Sequence, residues 1–221
     1  MILSVSLRSN RRRENIIIKK WAQGGLSCFG LKVQVEGLEN KPTSGCIYLF
    51  NHTSLLDILI IHSVISNIRF GSKIEVFDVP VMGLAMKKAG VLPIARQNAK
   101  EVIQVYENTK PRLARGEQFV LAPEGKRNAD IKLDLSPFKA GPFLFAIQTQ
   151  APLVPIVIKG ARDVLSKGSL LPNTNHLSYS FKMKILKPVS TDGVTVADKS
   201  KIMDQVYTMM DAELKSLNMY R

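Results

Sequence analysis

The chain has 221 residues, 45% of them hydrophobic and 22% charged. That size and balance suit one compact domain with an appendage, and exclude wholesale disorder, a collagen repeat and a small disulfide scaffold. Thirty-one Lys and Arg against eighteen Asp and Glu leave +13, which points to a polyanionic partner: nucleic acid, an anionic lipid surface or a phosphorylated substrate. Residues 1–32 hold seven basic residues and one acid, Glu14, so this stretch carries +6 and the rest of the chain +7. Cys28 and Cys46 stand alone, outside any Cys/His cluster, so no metal site is expected and a reducing compartment fits.

The apolar stretch Met1–Leu7 precedes the arginines, the reverse of a signal peptide. Leu55–Ile65 is the longest apolar run, about half the ~20 residues a span needs, and it contains Asp57 and His62. Neither a cleaved leader nor a spanning helix is expected, and the chain reads as facing the cytosol. From Arg11 to about Cys28 the spacing predicts a helix. Arg12, Arg13, Lys19, Lys20 and Gln23 share one side, and Ile17, Ile18, Trp21 and Ala22 the other. A cationic helix with Trp on its apolar face suits a membrane interface; a helix packed on the domain with its charges in water fits the same pattern. Residues 1–30 are therefore read as a basic amphipathic membrane-interface segment, and 31–221 as the main domain.

Leu31–Val35 and Cys46–Phe50 read as strands, separated by a Pro/Ser/Gly loop. A helix follows from Ser54 to about Ile65, capped by Thr53 or Ser54. Ile68–Gly71 is a short strand, Met82–Ala89 a helix ended by Gly90, and Val91–Ile94 a strand. A long helix from Ala99 to Ala114 carries Pro111, which is expected to disturb its last turn. Then come a strand at Gln118–Ala122, a helix at Pro137–Gln150, and strands at Leu153–Ile158 and Leu177–Ile185. The last helix runs from about Asp198 to Met219. Alternation of this kind predicts an α/β fold: a single domain with a mostly parallel central sheet flanked by helices. Chemistry in such sheets gathers at the carboxyl ends of the strands.

His62 lies in an apolar helix and His176 in a polar loop, so both read as structural or solvated. His52 directly follows a buried strand, and Asp57 is five residues on. Five residues turn a regular helix by ~140°, so the pair can meet only if His52 sits in the turn before the helix. A carboxylate on one imidazole nitrogen then leaves the other free as a general base. A capping turn with a surface imidazole has the same spacing. Pro123-Glu124-Gly125-Lys126-Arg127 closes another strand with a flexible glycine and an arginine suited to phosphate. Gly90 to Arg96 again delivers an arginine past a strand, and Lys73 ends the strand begun at Ile68.

Taken in order, Asn51-His52 with Asp57, Gly90 with Arg96, Pro123-Glu124-Gly125-Lys126-Arg127-Asn128, and the strand Pro152 to Ile158 resemble the four motif blocks of the glycerolipid acyltransferases. The best-known members of that family are the 1-acylglycerol-3-phosphate acyltransferases. Lys73-Ile74-Glu75 matches a further stretch usual between the first two blocks. The family's usual Phe, Thr and Ser of the third block are here Ala122, Lys126 and Asn128, and Ala95 stands where an acid is common.

The resemblance implies His52 and Asp57 as the catalytic pair, with a free lysolipid hydroxyl attacking an acyl thioester. It implies Lys73, Arg96 and Arg127 on the acceptor's phosphate, and Glu124 and Gly125 at the acceptor site, Gly125 also freeing an amide for the developing oxyanion. No cofactor or metal is implied, only acyl-CoA or acyl-carrier protein as co-substrate. The implied partners are a lysolipid acceptor and a membrane surface with anionic lipids, met peripherally at the cytoplasmic face, with no nucleic acid. A lyso-ornithine lipid or other lysolipid as acceptor, and a basic lipid- or nucleic-acid-binding module without catalysis, remain as alternatives. The low aromatic content, 7%, speaks against the nucleic-acid reading.

Overall fold

The computed structural model describes residues 11–95, 99–130, 133–169, 171–173 and 179–219. Seven strands form one sheet in the order β1-β7-β6-β2-β5-β3-β4. They are β1 (Lys32–Glu36), β2 (Ile47–Phe50), β3 (Ile68–Lys73), β4 (Leu92–Ile94), β5 (Gln118–Leu121), β6 (Leu153–Lys159) and β7 (Ser180–Ile185). Every neighbouring pair is parallel except β6 with β7, so β1 and β7 run against the other five. The mostly parallel α/β sheet expected from the alternation is the one observed.

Helices cover both faces, which explains the unbroken apolar runs of the central strands. Ile47 and Leu49 of β2 face α4 (Ala99–Ala114), α5 (Gly141–Thr149) and α7 (Lys199–Met219), in a core with Tyr106, Phe119, Phe143, Phe145 and Met210. Tyr48 and Phe50 point the other way, as the two-residue period of a strand demands. They join Leu26 of α1 (Arg11–Ser27), Ile60 and Ile61 of α2 (Leu56–Val64), and Val164 of α6 (Ala161–Val164).

α1 is docked on α2. Ala22 and Leu26 are buried, and Gln23 donates to the Ser63 carbonyl at 3.2 Å. Asn15 donates to Asn67 at 3.1 Å and accepts from Arg69 at 2.9 Å. The apolar side read from the sequence is therefore divided: Ala22 is buried, Ile17 and Ile18 are half-buried, and Trp21 is exposed.

Several boundaries shift for identifiable reasons. β3 runs on to Lys73 because Gly71–Lys73 pair with Leu92–Ile94 of β4. α5 begins at Gly141 rather than Pro137, since the amides of Ser136 and Lys139 are spent on Glu124 and the Pro123 carbonyl. Pro111 does not cut α4 short: the helix runs on to Ala114, although the proline nitrogen cannot donate to the Glu107 carbonyl. The first two residues of the strand expected from Leu177, and His176, lie outside the described residues.

His62 is structural, its ring centroid 4.9 Å from that of Phe70. Burial, helped by the Arg69 guanidinium, pushes it from an ordinary 6.5 down to about 4. The unfolded chain thus takes up a proton that the folded one refuses. Stability conferred by the neutral ring is present above pH 6.5 and is lost as pH falls toward 4, at about 1.4 kcal/mol per pH unit. Urea unfolding across that window should show a shallower acid loss for His62→Phe than for the wild type; equal slopes would contradict the assignment.

Candidate active site

β2 ends at Phe50, and residues 51–54 form a non-helical turn before α2. His52 sits in that turn, so the geometry that its offset from Asp57 required is met. His52 Nδ1 lies 2.9 Å from Asp57 Oδ2. The same oxygen accepts the Thr53 and Ser54 amides, each at 2.8 Å. Asp57 thus closes the turn just before α2. Ser54 Oγ accepts the Leu56 amide at 3.2 Å while donating to the Leu165 carbonyl at 2.7 Å. Asp57 is wholly buried, and the His52 side chain is 17% exposed. With Nδ1 occupied, Nε2 is the ring nitrogen left for a substrate proton. The Phe50 ring braces the imidazole, centroids 5.3 Å apart.

The sheet order places β5 and β6 on either side of β2, so the ends of all three strands meet at one point. From β6, the Ile158 amide donates to Asn51 Oδ1 and the Ile158 carbonyl accepts from Asn51 Nδ2, both at 2.8 Å. From the loop after β5, Glu124 Oε1 accepts the His52 amide at 2.9 Å. The Asn128 amide donates to the His52 carbonyl at 2.7 Å. His52 is therefore held by its backbone on both sides as well as by its ring.

Glu124 is buried, and its second oxygen accepts the Ser136 amide at 2.8 Å. Burial pushes its carboxyl above the ordinary range, against the opposing pull of the Ser136 and His52 hydrogen bonds. Its carboxylate faces into its own chain, where it positions His52. Gly125 adopts φ 72°, and its amide donates to the Ala122 carbonyl at 3.0 Å. That donor is already engaged, so the oxyanion role read for the Gly125 amide has no support in this geometry. Asn128, buried, secures the loop by accepting the Asp130 amide at 3.0 Å and donating to the Leu133 carbonyl at 2.9 Å.

Of the cationic residues, Arg127 is half-buried and makes no ion pair with the described residues. Lys73 is at the carboxyl end of β3, paired with Glu75 at 3.0 Å. β3 is two strands from β2, so Lys73 stands roughly 10 Å to the side of the histidine strand. Arg96 lies outside the described residues. Among those residues, no group of three His, Cys, Asp or Glu is arranged to hold a metal ion.

The acyltransferase family model matches residues 32–159, over half the chain and all of this geometry. The chain belongs to the acyltransferase family. It is similar to the chloroplastic 1-acyl-sn-glycerol-3-phosphate acyltransferase BAT2 of Brassica napus, 35% identical over 164 residues, covering 73% of this chain and 47% of that one. The human 1-acyl-sn-glycerol-3-phosphate acyltransferase beta is 30% identical over 208 residues, 90% and 71% of the two chains. The chain spans about half the length of the chloroplastic relatives it matches. The crystal structure of the 1-acyl-sn-glycerophosphate acyltransferase PlsC from Thermotoga maritima shares the fold, with TM-score 0.79 at 23% identity over 98% of this chain and 87% of that one.

Within this family member, sequence reasoning found the histidine pair but not what steadies it. Asn51 and Asn128 stood inside the quoted blocks without a role, and Ser54 was read only as a possible cap. The signal for Asn51 was a polar side chain abutting a wholly apolar strand, where burial demands partners. Asn51→Ala would leave the Ile158 amide and carbonyl unpaired, lowering stability by about 1–3 kcal/mol. Denaturant melts should show this loss, and an unchanged midpoint would mean that the bridge is not formed.

Proposed function

We propose that this chain is a 1-acylglycerol-3-phosphate acyltransferase, moving a fatty acyl group from a thioester to the free hydroxyl of lysophosphatidic acid. The observation that carries the reading is the His52–Asp57 pair, 2.9 Å apart, with one ring nitrogen left over and, among the described residues, no nucleophilic side chain hydrogen-bonded to it. A base so arranged acts on a hydroxyl that the substrate brings. The names of the similar proteins from Brassica napus and human support the acceptor.

In this mechanism His52 Nε2 removes the hydroxyl proton as the oxygen attacks the thioester carbonyl. Asp57 accepts the Nδ1 hydrogen and stabilises the imidazolium. The tetrahedral intermediate collapses with loss of the C–S bond, and the departing thiolate takes the proton back from Nε2. One oxygen ester forms and one thioester is broken, with no acyl-enzyme and no cofactor. The protein's contribution is to bring the two substrates together beside a fixed base. Arg127, Lys73 and Arg96 supply positive charge for the acceptor's phosphate, and Glu124 and Gly125 shape the loop that carries Arg127. Acyl-CoA and acyl-carrier protein are both acidic, and both suit a chain of net charge +13. The reading puts the chain at the cytoplasmic face of a membrane, held peripherally. Among the described residues no helix is long and apolar enough to cross. α1 brings Arg12, Arg13 and Lys20 to the surface beside exposed Trp21, each cation near anionic lipid contributing about 1 kcal/mol.

The test is acyl transfer from oleoyl-CoA and from an acyl-carrier-protein thioester to lysophosphatidic acid on mixed vesicles. His52→Ala should lower kcat by about 10²–10⁴-fold, and Asp57→Asn should lower it with little change in the acceptor's KM. Arg127→Ala should instead act mainly on that KM. Equal rates for wild type and His52→Ala would overturn the mechanism. Transfer to a lyso-ornithine lipid but not to lysophosphatidic acid would replace the acceptor.

A further inference from the structure

Between β3 and the edge strand β4 the chain makes a 3-10 turn at Ile74–Asp78, a tight turn at Pro80–Met82, and the short helix α3 (Met82–Lys88). This connection leaves the sheet at the carboxyl end of β3. β2, β5 and β3 are parallel neighbours, so it is the same end from which His52 projects.

Its side chains are placed against the usual rule for a water-soluble surface. Among the described residues, fourteen large apolar side chains are exposed, and five of them fall within these eleven positions: Ile74, Val79, Val81, Met82 and Leu84, between 39% and 60% exposed. α3 does not pack through them. Its single buried residue is Gly83, where a β-carbon would collide with the Phe77 carbonyl oxygen. The helix lies on the turn through a bare backbone, and its apolar side chains are turned outward. Val81 has φ 65° and ψ −49°, with the Met82 amide donating to the Pro80 carbonyl at 2.7 Å. A β-branched residue in so strained a γ-turn is held there by its surroundings, and such strain collects at functional segments. A contiguous exposed apolar patch of this kind marks a docking surface.

Charge indicates what docks. Lys87 and Lys88 follow the apolar residues on α3, and both are exposed. Next to the patch, a cleft of about 590 Å³ is lined by Lys87, by Arg11 and Arg112, which share Glu117 at 3.9 and 2.7 Å, and by Asp78, with the aromatic ring of Phe77 beside Ile74. Apolar side chains projecting beyond a cationic shelf are the arrangement that sinks into the acyl boundary of a bilayer while its cations meet anionic headgroups.

We propose that Ile74–Leu84 is a membrane-docking edge, seated on an anionic lipid surface beside the mouth of the site. Its apolar side chains belong to a different segment from α1, which reaches the same cleft only through Arg11. It rests on the reading that the acceptor is a lipid, which an enzyme of this size must meet at the bilayer.

The test is flotation with phosphatidylcholine vesicles containing or lacking phosphatidylglycerol, which needs no acyl transfer. Vesicle binding is therefore measured whether or not the proposed reaction is found, and His52→Ala should bind as the wild type does. Val81→Asp combined with Leu84→Asp, both at exposed positions, should lower binding to anionic vesicles by roughly tenfold or more while leaving the far-ultraviolet spectrum and the unfolding midpoint in place. A second readout does not depend on acidic substitutions. Trp21 is the chain's single tryptophan, so Leu84→Trp in a Trp21→Phe background reports on the segment alone. Its emission should be quenched by brominated acyl chains. Undiminished binding of the aspartate variant, or unquenched emission from the bound protein, would overturn the proposal. So would sedimentation showing that the wild type is a dimer through this patch, made monomeric by the aspartates with vesicle binding intact.

Discussion

A carboxylate withdrawn from water must be met by donors, and Asp57 is met by three on a single oxygen. Two are the amides of Thr53 and Ser54, in the turn just before α2. The third is the imidazole of His52. Asp57 is itself the second residue of α2, where the aligned peptide dipoles favour negative charge. One atom therefore closes the turn before α2 and orients the imidazole. The local fold and the chemistry cannot be separated at this point, because a helix begun one residue later would carry the carboxylate away from the ring.

The turn is steadied from both flanks, through the His52 backbone and the Asn51 side chain. Glu124 and Asn128 grip the two polar groups of the His52 backbone, and Ile158 exchanges two hydrogen bonds with Asn51. The cost falls on Glu124, a carboxyl held in an apolar setting that favours its neutral form. Bonding to two amides compensates for it. The loops after β5 and β6 reach His52 because the sheet order puts those strands next to β2. Segments more than 70 residues apart thus converge on one peptide unit.

Much of this was legible in the sequence. The run at Cys46–Phe50, apolar on both alternating faces, announced a central strand, and its end at Phe50 put His52 in a turn rather than a helix. From there the five-residue offset to Asp57 could be tested by geometry alone. What the sequence hid depends on pairing between distant segments. Nothing in Ser180–Ile185 says that this strand runs antiparallel to β6 and parallel to β1. The start of α5 was misplaced because amides at Ser136 and Lys139 are drawn to Pro123 and Glu124, a competition that no local propensity encodes. The family resemblance implied Glu124 at the acceptor site; that its two oxygens accept the amides of His52 and Ser136 depends on a meeting of distant segments that no local pattern encodes. The division of the apolar side of α1 was also invisible, since only α2 decides how wide a stripe is covered.

The sheet order has a consequence for the history of the molecule. β1 pairs with β7, so a strand that begins at Lys32 waits for one that ends at Ile185. β2 is completed on one side by β5 and on the other by β6, far later in the chain. Pairings that span such distances must close large loops before any contact rewards them, and they form slowly. On a ribosome, the turn at His52 is synthesised early, and its support from Ile158 arrives only after more than a hundred further residues. Its apolar strand keeps one edge unpaired until β6 is made, an opening for misassembly that a chain with sequential neighbours would not present. An arrangement that fixes the His52 turn so firmly in the finished protein is the one that delays its assembly.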